Sequence, residues 1–102
     1  MRKIIVQPQD FNMSKEYGLL RQSSKGVGAV VTFIGLVRDL EKDSELRHLF
    51  IQHYPKMTEK LIRQTVDESF ERWTLKCVSV IHRVGKLMPS DQIVFIGVSA
   101  PH

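Results

Sequence analysis

One hundred and two residues, 42% hydrophobic and 25% charged, suit a single globular domain, 1–102, with a core of its own, and argue against a disordered or multidomain chain. No apolar run approaches the ~20 residues that cross a bilayer, and Ile4-Ile5-Val6 is too short for a secretory signal, so a cytoplasmic protein is expected. The net charge of +4 fits either an anionic partner or a generic solvated basic surface, and the lone Cys77 excludes a disulfide framework within the chain.

Lys3–Val6 predicts a short strand, stopped by Gln7-Pro8. Ser14 is placed to cap a helix of about two turns through Leu19-Leu20, with Lys15 and Glu16 in its exposed first turn. The stretch Gly26–Asp39, GVGAVVTFIGLVRD, is the longest apolar run. Both of its alternating sets are apolar, so it predicts a strand covered on both faces that ends at Arg38-Asp39. A charged loop follows, and Leu46–His53 then predicts a strand antiparallel to that spine. Pro55 suits the first position of a helix. Met57, Leu61, Ile62, Val66, Phe70 and Trp73 recur at three- and four-residue spacing behind it, which predicts an amphipathic helix of about five turns. Lys76–Val84 alternates with Val78, Val80 and Val84 on one face. Gly85–Asp91 reads as a turn region, and Gln92–Ala100 as a central strand apolar on both faces. Hairpins mixed with helices give an α+β class, with a mixed or antiparallel sheet and two packed helices.

Several familiar constellations fail on spacing. Gly26-Val27-Gly28 lacks the third glycine of a dinucleotide loop, and a strand follows where a helix is required. Asp39, Glu41 and Asp43 resemble the start of a calcium loop, but Ser44 holds the glycine position and Phe50 that of the bidentate glutamate. Cys77 and His82 are separated by an odd number of residues, so they point to opposite faces of one strand. Cys77 then reads as a small buried thiol and His82 as a satisfied sheet histidine. His48 and His53 share that odd spacing, so no zinc pair emerges. Phe33, Phe50, Phe70, Trp73 and Phe95 occupy core-facing or strand positions, which argues against a stacking surface for nucleic acid. No motif for a bound cofactor remains. Arg38 and His102 each end a strand apolar on both faces. Either the two converge at one rim, or they are a solvated arginine and a frayed terminal histidine.

The segments GAVVTFIGLVRD, QHYPKMTEKLIRQTVDE and VIHRVGKLMPSDQIVFIGVSAPH resemble the large, catalytic subunit of molybdopterin synthase, with matching spacing from about Lys3 to His102. The resemblance implies an α/β hammerhead-type fold and a homodimer of large subunits. Each subunit would bind a small ubiquitin-like sulfur carrier. The activity it implies is a sulfurtransferase reaction of molybdenum cofactor biosynthesis. Sulfur moves from the carrier's C-terminal thiocarboxylate to cyclic pyranopterin monophosphate, forming the dithiolene of molybdopterin. No membrane or nucleic acid takes part. It further implies that Arg38 binds substrate and that His102 is a catalytic and substrate-binding residue. Aligned guanidinium donors suit a phosphate, and imidazole can donate or accept. Members of that family continue past this histidine with an arginine, a helix and a lysine-bearing stretch to which the main catalytic chemistry is attributed. Lys86 does not match those lysines. The expectation is therefore that these 102 residues alone are inactive, and the alternative function is a non-catalytic fragment that contacts the carrier or its dimer partner.

Overall fold

Alternating apolar residues in three long runs build one mixed sheet, and a computed structural model describes it over residues 1–38, 49–52 and 54–102. The elements in chain order are β1 (Arg2–Gln7), α1 (Met13–Arg21), β2 (Ala29–Leu36), β3 (Leu49–Ile51), α2 (Pro55–Arg72), β4 (Cys77–Arg83), β5 (Gly85–Leu87) and β6 (Gln92–Ala100). The main sheet runs β1-β4-β6-β2, with β1 parallel to β4 and the other neighbours antiparallel. β3 and β5 form a separate two-stranded ribbon. This is an α+β fold with two helices, as the residue pattern predicts.

The strand period sorts side chains onto two faces. On one face Leu20 of α1 packs with Cys77, Ile81 and Phe95, flanked by Ile5, Phe11, Val30 and Ile34. Gly97 lies beneath α1, where a β-carbon would sit 2.3 Å from Leu20 Cδ1. A side chain here would force Leu20 and the Phe95 ring, 2.9 Å from that β-carbon, to shift. On the opposite face Val66 of α2 packs with Val78 and Val80, flanked by Ile4, Ile62, Phe70, Leu75 and Val98. The helix covers only the β1–β4 half of that face.

Several sequence expectations are corrected by this topology. β2 is an edge strand, not a covered spine: Val31 is 67% exposed and Phe33 58%. β6 takes the central role, as its two apolar faces predict. The Leu49–Ile51 strand pairs with β5 rather than with β2, and β5 itself occupies what reads as a turn region. Residues 39–48 and His53 lie outside the described residues, and with them the rest of the Leu46–His53 prediction and the calcium-loop acids. Trp73 and Phe50 are exposed rather than core-facing, while Phe95 is fully buried. Helix α1 is capped two residues before Ser14, by Asn12, whose Oδ1 accepts from the Lys15 amide at 3.0 Å. Glu16 is buried instead of exposed, held by Lys3 Nζ at 2.6 Å. That pair ties α1 to β1.

Ser79 is the exception to good polar pairing. It points to the α1 face, and its hydroxyl is buried without a hydrogen-bond partner among the described residues. Such a group carries a desolvation cost with nothing to offset it. Ser79→Ala is therefore expected to leave stability unchanged or to raise it by up to ~1 kcal/mol, as read from urea unfolding midpoints. A clear loss would mean the hydroxyl has a role that its surroundings do not display.

Candidate functional site

Arg38 stands just past the end of β2, and what fixes it is the residue before it. The Val37 amide donates to Asp91 O at 2.9 Å, and the Ser90 amide donates to Val37 O at 2.8 Å. The 88–91 turn is closed in turn by Asp91 Oδ2, which accepts from the Met88 amide at 2.8 Å. Val37 is buried and Arg38 exposed, so a firm backbone delivers the guanidinium to solvent at this end of the sheet. Nearby, Arg83 is committed to structure: its Nε donates to Pro8 O at 3.1 Å and its Nη1 to Gln92 O at 2.9 Å. Asp10 accepts from Gln92 Nε2 at 2.8 Å. That hydrogen bond, helped by the Phe11 amide, holds the Asp10 carboxyl below the usual aspartate range.

His102 lies at the other end. The β2–β6 register pairs Ala29 with Ala100 and Leu36 with Gln92, so the two strands run in opposite directions. Arg38 is nine positions beyond Ala29, which at ~3.3 Å per residue puts it roughly 30 Å from His102. The convergence of Arg38 and His102 at one rim of a single chain is thus excluded, and the physical reason is the antiparallel register. His102 instead borders a shallow recess with Trp73, Thr74, Leu75, Ala100 and Pro101. The chain approaches closely here: a β-carbon on Gly28 would sit 2.0 Å from Pro101 O. This end is basic. Lys25 is exposed, Lys76 Nζ would lie 3.1 Å from a β-carbon on Gly26, and the Met1 ammonium donates to Lys76 O at 3.0 Å.

Between the two ends lies a feature the sequence reading missed. The half of the sheet face left open by α2 forms an apolar groove of about 470 Å³, lined by Leu61, Val66, Trp73, Val80, Val94 and Ile96 among others. Its signal is present in the sequence: the apolar stripe of α2 and the Trp73 that follows it include residues, Leu61 and Trp73, that stay exposed beside the groove. His82 also lines this groove, on the face opposite Cys77 as the odd spacing predicts. Its Nδ1 lies 2.8 Å from Arg83 O, so it is a satisfied sheet histidine. Cys77 is a buried thiol, and burial raises its pKa.

The fold and these two ends define an α+β domain of the α/β hammerhead type, with a basic rim and an open apolar sheet face. Residues 6–102 match the model of the MoaE protein family, and the chain belongs to that family. It is similar to the molybdopterin synthase catalytic subunit of Escherichia coli (strain K12), 47% identical over 100 residues, which cover 98% of this chain and 66% of the relative. The corresponding subunit of Vibrio cholerae is 46% identical with the same coverage. Among solved structures, the MoaE protein from Burkholderia ambifaria superposes with a TM-score of 0.89 at 38% identity, covering 100% of this chain and 66% of that one. Molybdopterin synthase from Staphylococcus aureus gives 0.79 at 33% identity, covering 98% of this chain and 70% of that one. The chain thus spans 66% of the length of the curated relatives it matches first. A more distant likeness, at 16% identity, is to a complex of subunits 1 and 2 of the molybdopterin-converting factor from Helicobacter pylori, and it speaks to the fold alone.

Proposed function

We propose that this chain is the large subunit of a molybdopterin synthase. It accepts sulfur from the C-terminal thiocarboxylate of a small ubiquitin-like carrier and passes it to cyclic pyranopterin monophosphate. The observation that carries the reading is the family match across residues 6–102, which includes both strand ends that present Arg38 and His102. In this reading Arg38 holds the substrate phosphate through charge-assisted hydrogen bonds, and His102 contacts the substrate and moves protons during transfer. The large subunits act as a homodimer in the cytoplasm. No helix of the described residues is long and apolar enough to cross a membrane.

The test is conversion of the cyclic precursor by thiocarboxylated carrier. In a chain extended to the length of its relatives, Arg38→Ala is expected to lower turnover by about 10–100-fold, the equivalent of a lost ionic hydrogen bond of ~1.5–3 kcal/mol. An unchanged rate would remove Arg38 from the site.

One observation favours a second reading for the 102 residues by themselves: they cover 66% of the relatives' length. The chain would then bind the carrier or a second large subunit without catalysing transfer. Co-elution with the carrier and no turnover would support this reading, whereas robust turnover by the 102-residue chain would rule it out.

A further inference from the structure

The turn between β5 and β6 holds the one non-glycine residue with a positive φ among the described residues, Ser90 at 72°. Met88-Pro89-Ser90-Asp91 closes with the Asp91 amide donating to Met88 O at 3.0 Å. Proline in second place and a positive φ in third are the pattern of a type II turn, whose third position favours glycine. A serine there is strained, and such a conformation persists only where its surroundings over-determine it. Here the Asp91 side chain does so. Its Oδ2 accepts from the Met88 amide at 2.8 Å, so backbone and carboxylate close the same four residues together.

What the turn holds is Val37. β2 and β6 keep one register from Ala29 opposite Ala100 to Gly35 opposite Val94, and then slip, so that Leu36 faces Gln92. Ile93 is the extra residue, a bulge of the kind that re-aims a strand. Beyond it Val37 is gripped by both of its backbone groups. Its amide donates to Asp91 O at 2.9 Å, and its carbonyl accepts from the Ser90 amide at 2.8 Å. That carbonyl shares a rigid peptide plane with the Arg38 nitrogen. In a type II turn the central peptide, 89–90, is flipped, which points the Ser90 amide at Val37 and demands the positive φ at Ser90.

We propose that Asp91 is a positioning residue for Arg38. Its carboxylate closes the turn, the turn fixes the 37–38 peptide plane, and the guanidinium is thereby aimed at the substrate phosphate. The proposal rests on the reading above that Arg38 binds this phosphate. Without the carboxylate the turn opens more often and Arg38 samples more directions, so part of the binding energy goes into ordering it. Asp91 acts only through Arg38.

The test is a double-mutant cycle in the sulfur-transfer assay, with the chain extended to the length of its relatives. Asp91→Ala is expected to lower kcat/KM for the cyclic precursor by about 3–10-fold, the scale of ordering one long side chain. Asp91→Asn keeps a side-chain oxygen that can accept from Met88, and is expected to stay within about twofold of wild type. Ser90→Val resists a positive φ and is expected to match Asp91→Ala by loosening the same turn from its other side. In an Arg38→Ala background, Asp91→Ala is expected to change nothing further, because the group it aims is gone. A general structural loss would instead add to that of Arg38→Ala. Hydrogen exchange supplies a readout without chemistry: in Asp91→Ala the Val37 and Ser90 amides are expected to exchange about tenfold faster, with the Ile81 amide unchanged. Additive losses, unchanged exchange at Val37, or Asp91→Asn as impaired as Asp91→Ala each overturn the proposal. So does wild-type activity in Asp91→Ala beside an impaired Arg38→Ala, and none of these touches the proposed function. Wild-type activity in Arg38→Ala removes the phosphate reading and the proposal with it.

Discussion

Gly28→Val is expected to cost about 2–4 kcal/mol and to detach the His102 end of the sheet from β2. A β-carbon at Gly28 would sit 2.0 Å from Pro101 O and 3.0 Å from Pro101 C. The obstacle is backbone, which cannot swing aside as a flexible side chain can. The strand must separate there, and the Gly28 amide loses its 2.9 Å bond to Ala100 O. Urea unfolding would read the loss of stability, and faster hydrogen exchange at the Gly28 amide would localise it. Gly18→Ala is the matched control. It lies within α1 with nothing within 4 Å of its would-be β-carbon, so alanine is expected to add about 0.5–1 kcal/mol through helix propensity. A Gly28 variant as stable as that control would show that the 100–102 segment does not depend on this contact.

Phe95→Ala is expected to be the most destabilising single truncation, at about 3–5 kcal/mol. The side chain is 0% exposed, sits among Leu20, Cys77 and Ile81, and stacks at a tilt against Phe11 with ring centroids 5.8 Å apart. A domain of this size has about 5–15 kcal/mol in total, so the variant would stand near the edge of folding. Its neighbour Ile96 points to the opposite, open face and is 37% exposed. Ile96→Ala should cost clearly less. Thermal or urea unfolding of the pair measures the asymmetry between the two faces directly, and equal losses would mean that the open face is covered in solution.

Local pattern carried most of the secondary structure. Helix α2 ends within one residue of its predicted limit, because Pro55 and the apolar spacing act locally, and β6 is central because both of its faces are apolar. Pattern failed where the deciding contact was remote. An apolar edge strand and a buried spine have the same composition, so Val31 and Phe33 looked internal until the strand order was known. Gly85–Leu87 forms a strand only because Leu49–Ile51 lies beside it, and no periodicity announces a three-residue ribbon. Glu16 reads as a solvated first-turn acid, since its partner Lys3 is on another element. The two proposed site residues, Arg38 and His102, stand out one at a time, as polar groups ending apolar strands. Their separation depends on strand direction, which no single strand encodes.

The parallel pairing of β1 with β4 joins Arg2 to Val78 and Gln7 to Arg83, segments made at very different moments of synthesis. At ~5–20 residues per second, the first strand waits roughly four to fifteen seconds on the ribosome before its partner has even been polymerised. During that interval Ile4-Ile5-Val6 is a nascent apolar ribbon with no ladder to join, and closure of the sheet must be a late event. The Arg2 and Lys3 that later clasp α2 and α1 lie at the ribbon's start. They give it charge, and so keep it dissolved, through the period when it has nothing to pair with.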